Sequence, residues 1–193
     1  NTFYYYIGGG YRNFDGLGID RLSAYMEKFG LGKDLGIDIP GEASGLVPNS
    51  AWKKATKDEQ WYIGDTYNLS IGQGDLLVTP LQVAAMTAVI ANGGTLYEPH
   101  VAAAIMDPIT EKLTEIPPVI LQETVVPKSA IIPVRLGMRD CVVYGSCQHL
   151  SRLSIAAAGK TGTAQWHSQK NTHAWFTSFA PFDEPEIVLT LII

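Results

Sequence analysis

One ten-residue stretch of the sequence, from residue 156 to residue 165, combines side chains that could recognise an anion. Lys160 supplies an ammonium group, and Thr161 and Thr163 supply two hydroxyls beside it. The two glycines among them carry no Cβ, so a ligand or another chain segment can approach the backbone closely. If the stretch is an extended edge strand, both threonine side chains project from one face, next to free backbone groups. This arrangement suits a peptide that ends in a carboxylate, which would pair with the strand while the hydroxyls and the ammonium bind its charge.

Three other interpretations of this stretch are open. The tripeptide Lys160–Gly162 is short enough to occur by chance in an unrelated chain. Residues 154–161 nearly match a phosphate-binding loop, but Ser154 stands where that loop requires its first glycine, and no clean strand precedes it. The stretch could also be a solvated strand end with an ordinary lysine. The motif alone does not decide among these interpretations.

The composition is that of a folded domain and gives no indication of nucleic-acid binding. The chain has 193 residues, of which 46% are hydrophobic, and this suffices for one domain with a core. Its net charge is -5, and no cluster of lysines or arginines offers a track for phosphates, so nucleic acid is not expected as a partner. The chain starts without methionine and stops inside the apolar run Ile187–Ile193, so we expect it to be a fragment.

Two cysteines lie six positions apart at the end of a predicted helix. Cys141 and Cys147, with His149 nearby, would make a poor zinc site because a fourth ligand is missing. A local disulfide and a pair of free thiols both fit the spacing. A disulfide would indicate an oxidising compartment.

Sequence patterns predict two long helices. Thr79 is a candidate N-cap with Pro80 at the first helical position, and Asn92–Gly94 ends the helix. The residues between are apolar nearly all round, as in a buried helix. A second helix begins with the sequence Pro-Lys-Ser at 127–129 and runs to about residue 143, with Pro133 expected in its first turn.

Shorter patterns occur earlier in the chain. Gly8–Gly10 indicates the end of one element and a flexible turn. Apolar residues within Asp20–Phe29 share one helical face, and Asn49 or Ser50 could cap a short helix. The glycines of Trp61–Asp75 lack the spacing of a dinucleotide-binding loop.

Three strand-like stretches end the chain. They are Leu153–Trp166, Thr172–Phe182 and Glu186–Ile193, joined by turns that contain Ser168–Asn171 and Asp183–Pro185. We predict an antiparallel meander with the lysine motif on its first strand.

Several motifs, taken together and in order, resemble those of a known family. They are Ile71–Gly74 with Thr79–Ala84, then Lys160–Gln165, then His173–Pro181. This combination resembles the transpeptidase domain of class B penicillin-binding proteins, most of all its elongation type, over essentially the whole chain. The resemblance implies an α+β fold, the α/β sandwich of penicillin-recognising serine transferases and β-lactamases. That fold has an antiparallel sheet with flanking helices, and we expect it to be incomplete in this chain.

The resemblance assigns one of the family's three catalytic motifs directly. Lys160, Thr161 and Gly162 match its lysine-threonine-glycine motif, and Thr163 matches the position after it. Residues 1–193 would then be the C-terminal portion of a single transpeptidase domain.

The other two catalytic motifs are incomplete or missing. Asn1 matches the last residue of the serine-x-asparagine motif, whose serine would precede this chain. Ser50 and Lys53 have the spacing of the serine-x-x-lysine motif, but they follow Asn1, in the wrong order for the family. We interpret that pair as a coincidence.

The activity implied by the resemblance is D,D-transpeptidation of peptidoglycan. In the family, the serine attacks the carbonyl between two terminal D-alanines of a stem peptide, D-alanine leaves, and a neighbouring amine takes the acyl group. The resemblance implies that Lys160, Thr161 and Thr163 bind the terminal carboxylate, and that the backbone amide of Thr163 is one of two oxyanion donors. Asn1 would hydrogen-bond the substrate backbone. The nucleophile would lie upstream, so the 193 residues alone are expected to be inactive, and neither a cofactor nor a metal is implied.

The resemblance also implies partners and a location. Peptidoglycan stem peptides and β-lactam antibiotics would bind the site, and cell-wall elongation proteins would bind the full-length protein, anchored in the cytoplasmic membrane with this domain outside it. Two alternatives stay open, a β-lactam-hydrolysing or β-lactam-sensing relative and a non-catalytic wall-binding module. Trp175 and Phe176 fit either the core or a cleft wall, and His173 is given no catalytic role.

Overall fold

The computed structural model describes residues 1–166 and 169–193 as helices packed with small antiparallel sheets. The helices are α1 (Thr2–Gly9), α2 (Gly18–Lys28), α3 (Ser50–Lys57), α4 (Ile63–Ser70), α5 (Pro80–Asn92) and α6 (Lys128–Val143), followed by a 3₁₀-helix (Gln148–Arg152). The strands are β1 (Leu96–Tyr97), β2 (Ala104–Met106), β3 (Leu113–Glu115), β4 (Ile120–Gln122), β5 (Ala158–Ala164), β6 (His173–Ala180) and β7 (Ile187–Ile192). Within the described residues, no helix is both long and apolar enough to cross a membrane.

The last three strands form the sheet that carries the lysine motif. Their order is β5-β6-β7, and both pairings are antiparallel, which confirms the predicted meander. Strand β5 is shorter than predicted because a 3₁₀-helix and a bend occupy the residues before it. Ser168 of the first predicted turn lies outside the described residues. Among the described strands, β5 is an edge strand.

Helices α5 and α6 cover one face of this sheet. Ala158, Phe179 and Val188 lie opposite one another on the three strands and therefore share a face. That face packs against Ala91 of α5 and Met138 of α6 in a buried cluster. The opposite face carries leucines of β7 that are about half exposed. The result is an α+β architecture, with the sheet backed by helices on one side.

The predicted bounds of both long helices are confirmed. The hydroxyl of Thr79 accepts a hydrogen bond from the amide of Gln82 (3.1 Å), and Gly93 ends α5 in the left-handed region with φ +88°. No side chain at positions 81–91 is exposed, in line with the predicted burial. The placement of Pro133 was wrong, because α6 begins at residue 128 and puts the proline in the second turn.

The glycines near the start of the chain correct a second expectation. Gly8 and Gly9 lie inside α1, where they allow close packing against α4. A Cβ on Gly8 would lie 1.7 Å from the Oγ of Ser70, and one on Gly9 would lie 2.2 Å from the ring of Tyr67. Only Gly10, with φ +87°, ends the helix. The first two glycines therefore serve helix packing rather than a flexible turn.

Two shorter helices begin with side-chain caps. Asn49 caps α3 as predicted, since its Oδ1 accepts a hydrogen bond from the amide of Trp52 (2.8 Å). Helix α4 was not predicted. Its first turn is closed by Asp65, whose carboxylate accepts a hydrogen bond from the amide of Tyr62 (2.7 Å).

Candidate active site

Strand β5 presents the lysine motif along the open edge of the sheet. Thr161 lies opposite Phe176 and Thr163 opposite Ala174, so the two threonines share one face of the sheet. Lys160 lies on the other face, opposite a threonine of β6. The prediction that the two hydroxyls share a face is confirmed. The Lys160 side chain lies on the opposite face, which the helices cover.

Lys160 offers a cation at this edge. Its side chain is exposed, and its Nζ donates a hydrogen bond to the carbonyl of Thr161 (2.6 Å). Within residues 1–166 and 169–193, it has no carboxylate at ion-pairing distance. The charge is therefore available for an anionic ligand.

Backbone groups of Thr163 face the open edge of the sheet. The Nε2 of Gln73 donates a hydrogen bond to the Thr163 carbonyl (3.2 Å) from outside the sheet. In an antiparallel pair, the N–H and C=O of one residue point to the same side, so the Thr163 amide also points outward. This edge offers an N–H donor and a C=O acceptor to a ligand, and a peptide that paired with β5 would compete with Gln73 for the carbonyl.

Gln73 occupies its position because the turn after α4 is built around glycines. Gly72 and Gly74 have φ of +72° and +79°, which disfavour any residue with a Cβ. The backbone amide of Gln73 donates to the carbonyl of Asn68 (3.0 Å), which fixes the turn against the end of α4. The sequence motif that includes Gln73 predicts no contact with β5, because Gln73 and Thr163 are 90 positions apart.

An open cavity of about 550 Å³ joins three distant parts of the chain. It is lined by Asn1, Asn68, Ile71, Gln73, Gly74, Gln165 and Trp166. The structure thus brings Asn1 together with the turn after α4 and with the residues that follow β5. Lys160, Thr161 and Thr163 are not among the lining residues, so they lie along the adjacent strand edge rather than inside the cavity.

The surroundings of Lys53 do not suit a catalytic base, although Ser50 and Lys53 have the spacing of the serine-x-x-lysine motif. The Lys53 side chain is only 6% exposed, and its Nζ lies 2.7 Å from Asp65 and 3.4 Å from Glu59. The hydrogen bond that the Lys53 ammonium donates to Asp65 raises the pKa of Lys53 above its ordinary value of 10.5, although burial opposes this shift. A lysine held in its charged form is a poor general base. This is a physical reason to interpret the spacing of Ser50 and Lys53 as a coincidence.

The two cysteines are joined, which resolves the alternative that the spacing left open. Cys141 and Cys147 form a disulfide with their Cα atoms 5.2 Å apart. Between them, the hydroxyl of Ser146 lies 2.6 Å from the hydroxyl of Thr161. Sequence reasoning missed this contact, since nothing in the spacing indicates that the disulfide loop reaches β5.

The two aromatic residues in the middle of β6 lie on opposite faces of the sheet. Phe176 shares a face with Thr161, and its ring would lie 3.3 Å from a Cβ placed on Gly159. Trp175 lies opposite Gly162 on the other face. Both side chains are half-buried, so each contributes to packing around β5.

Comparison with known proteins matches this chain to a protein family. The family model described as "Penicillin binding protein transpeptidase domain" matches residues 3–193. The chain is 36% identical over 197 residues to a peptidoglycan D,D-transpeptidase MrdA from Haemophilus influenzae, covering 92% of this chain and 30% of that protein. The similarity therefore spans less than a third of the relative's length.

Solved structures agree with this match. A crystal structure of Pseudomonas aeruginosa PBP2 in complex with WCK 5153 superposes with a TM-score of 0.79 at 35% identity, covering 100% of this chain and 41% of that one. A complex between PBP2 and MreC from Helicobacter pylori gives a TM-score of 0.80 at 32% identity, covering 99% and 33%. The expected fold class is confirmed by these neighbours.

Proposed function

This chain belongs to the penicillin-binding protein transpeptidase family, in the class B type represented by PBP2 and MrdA, and from that premise we propose that it supplies the substrate-binding edge of a peptidoglycan D,D-transpeptidase. One observation carries the proposal. Strand β5 is an exposed edge that combines two hydroxyls on one face, the outward backbone groups of Thr163 and an exposed ammonium that has no carboxylate partner among the described residues. These are the groups that a peptide ending in a carboxylate needs.

Each group at the edge takes one part of the substrate. The hydroxyls of Thr161 and Thr163, with the ammonium of Lys160, bind the carboxylate of the terminal D-alanine. The amide of Thr163 donates to the oxygen of the carbonyl under attack and stabilises its negative charge. Asn1, beside the cavity, hydrogen-bonds the backbone of the stem peptide.

The nucleophile is a serine that precedes these residues in the full-length protein. Its Oγ bonds to the carbonyl carbon between the two D-alanines, the C–N bond breaks, and D-alanine leaves with the proton as a free amine. An amine from a second stem peptide then attacks the ester, forms the cross-link and returns the serine. Residues 1–193 are the C-terminal portion of this one transpeptidase domain.

Location and partners follow from the same proposal. The full-length protein is anchored in the cytoplasmic membrane, and this domain works outside it, where the peptidoglycan lies. β-Lactams acylate the same serine as analogues of the D-alanine pair. A solved PBP2 structure in complex with MreC supports a partner among cell-wall elongation proteins.

The test is the rate at which a fluorescent penicillin acylates the full-length protein. Replacing Lys160→Ala removes the cation beside the carboxylate site and should slow acylation about 10- to 100-fold, the size of a charge-assisted hydrogen bond. Lys112→Ala, an exposed lysine near the β2–β3 turn, is the matched control and should leave the rate unchanged. Equal rates for the Lys160→Ala variant and the wild type, with both proteins folded, would show that β5 is not part of the site.

A further inference from the structure

The turn that ends α6 is fixed to the helix at several points. The backbone amides of Gly145 and Cys147 both donate to the carbonyl of Cys141, at 3.1 Å and 2.9 Å. The disulfide between the two cysteines closes the same turn. A Cβ on Gly145 would lie 2.8 Å from the Cα of Cys141, so the turn has no room for a side chain there. Ser146, between these anchors, has little freedom to move.

The helix that carries this turn is itself attached to β5. Arg139 of α6 donates to the carbonyl of Ala157, just before β5 (2.8 Å), and Met138 packs against Ala158 in the buried cluster. The position of Ser146 relative to the strand is therefore set by contacts on both sides. Its hydroxyl lies 2.6 Å from the hydroxyl of Thr161 and 3.5 Å from the sulfur of Cys141.

Either hydroxyl can be the donor in this contact, and the choice decides where the other proton points. A hydroxyl has one proton to donate and two lone pairs to accept with. When Ser146 donates to Thr161, the proton of Thr161 is left to point at a further acceptor. A hydroxyl that accepts one hydrogen bond also becomes a stronger donor in its own bond. A substrate carboxylate at the edge of β5 is such an acceptor.

We infer that Ser146, held in place by the Cys141–Cys147 disulfide, is a positioning residue that turns the Thr161 hydroxyl toward the substrate's carboxylate. This inference rests on the proposed function, because it assigns the carboxylate to β5. Ser146 itself does not touch the substrate.

The experiment measures the acylation rate constant of the full-length protein with benzylpenicillin. Ser146→Ala should lower it about three- to tenfold, the size of one hydrogen bond between neutral groups. Ser146→Thr keeps the hydroxyl and should restore most of the rate. Ser151→Ala is the matched control, since that serine lies in the following 3₁₀-helix and, among the described residues, its hydroxyl bonds only to the carbonyl of Gln148; it should match the wild type.

A double-mutant cycle separates positioning from general stability. In a Thr161→Val background, Ser146→Ala should have no further effect, because the hydroxyl it positions is gone. Replacing both cysteines with serine should lower the rate in the same direction as Ser146→Ala, and should add nothing when combined with it. Melting temperatures show whether each variant is folded.

The outcomes are distinct. If folded Ser146→Ala acylates at the wild-type rate, or if its loss persists undiminished with Thr161→Val, Ser146 is not a positioning residue. If the cysteine replacements leave the rate unchanged while Ser146→Ala lowers it, the disulfide has no part in holding the serine. If the wild-type protein is not acylated at all, the proposed function fails and this inference fails with it.

Discussion

Asp65 shows how one side chain positions part of the candidate site. Its carboxylate closes the first turn of α4 and also accepts from the buried ammonium of Lys53. Burial would raise the pKa of Asp65, but the hydrogen bonds from Lys53 and the Tyr62 amide outweigh it and hold the pKa below the ordinary value of 3.8. Helix α4 then carries Asn68 to the cavity. The ion pair therefore supports the wall of the site from a distance.

Replacing Asp65→Asn should destabilise the domain at neutral pH and much less in acid. Asparagine keeps an oxygen for the Tyr62 amide but leaves Lys53 without its nearest charge, so the melting temperature should fall. Because the folded pKa of Asp65 is lowered, its contribution is complete above pH 3.8 and is lost as the pH falls through the lowered value. The melting temperatures of variant and wild type should converge below that pH.

Asp58→Asn is the control for this prediction. The pair of Asp58 with Lys54 is exposed, at 90% and 63% of each side chain, so removing it should change the melting temperature little. Asparagine also tolerates the left-handed backbone of that position, φ +55°. A constant difference between Asp65→Asn and the wild type at every pH would contradict the account of the ion pair.

Residue-scale contacts at the site were only partly predictable. Alternation along a strand predicts that Thr161 and Thr163 share a face, and the structure agrees. The bonds of Ser146 to Thr161 and of Gln73 to Thr163 join residues 15 and 90 positions apart. No local pattern encodes such contacts, because they depend on where the turns after α4 and α6 meet the strand.

At the scale of elements, the packing of α1 on α4 sets where Asn1 lies. Gly8→Ala should lower the melting temperature, since its Cβ would overlap Ser70 and force the helices apart, at a cost of about 1–3 kcal/mol. Gly64→Ala, in the first turn of α4 with no atom within 4 Å of the added Cβ, is the matched control. It should be neutral or stabilising by up to about 1 kcal/mol. If the two variants melt alike, close helix packing does not explain Gly8.

A helix could be predicted where the residues that mark its ends lie within its own sequence. Helix α5 was predicted because Thr79, Pro80 and Gly93 mark both ends within the helix's own sequence. Helix α4 was missed because its cap is a tyrosine closed by an aspartate and its first turn includes Gly64. Gly8 was misinterpreted because a glycine indicates a turn or a close approach equally well, and the deciding partner lies 62 residues away.

At the scale of the whole molecule, the candidate site forms where three separate segments meet. Asn1 precedes α1, residues 68–74 are the end of α4 and the turn after it, and β5 with the residues after it supplies the edge. The motifs predicted that β5 would be a strand with a binding edge. They could not predict the apposition, because it arises from the packing of α1 on α4 and from the bond of Gln73 to β5.

This arrangement predicts where penicillin attaches. In the full-length protein, the covalent adduct should map by mass spectrometry to a serine outside residues 1–193. Ser50→Ala should be labelled like the wild type, because Lys53 is held protonated by Asp65 and cannot activate Ser50. An adduct on Ser50 would contradict this account of the domain.

The most direct measurement is a crystal structure of the full-length protein acylated by benzylpenicillin. The carboxylate of the bound drug should lie within about 3.2 Å of the hydroxyls of Thr161 and Thr163, with the acyl oxygen accepting from the Thr163 amide. An acyl group whose carboxylate makes no contact with β5 would contradict the claim that this strand is the substrate-binding edge.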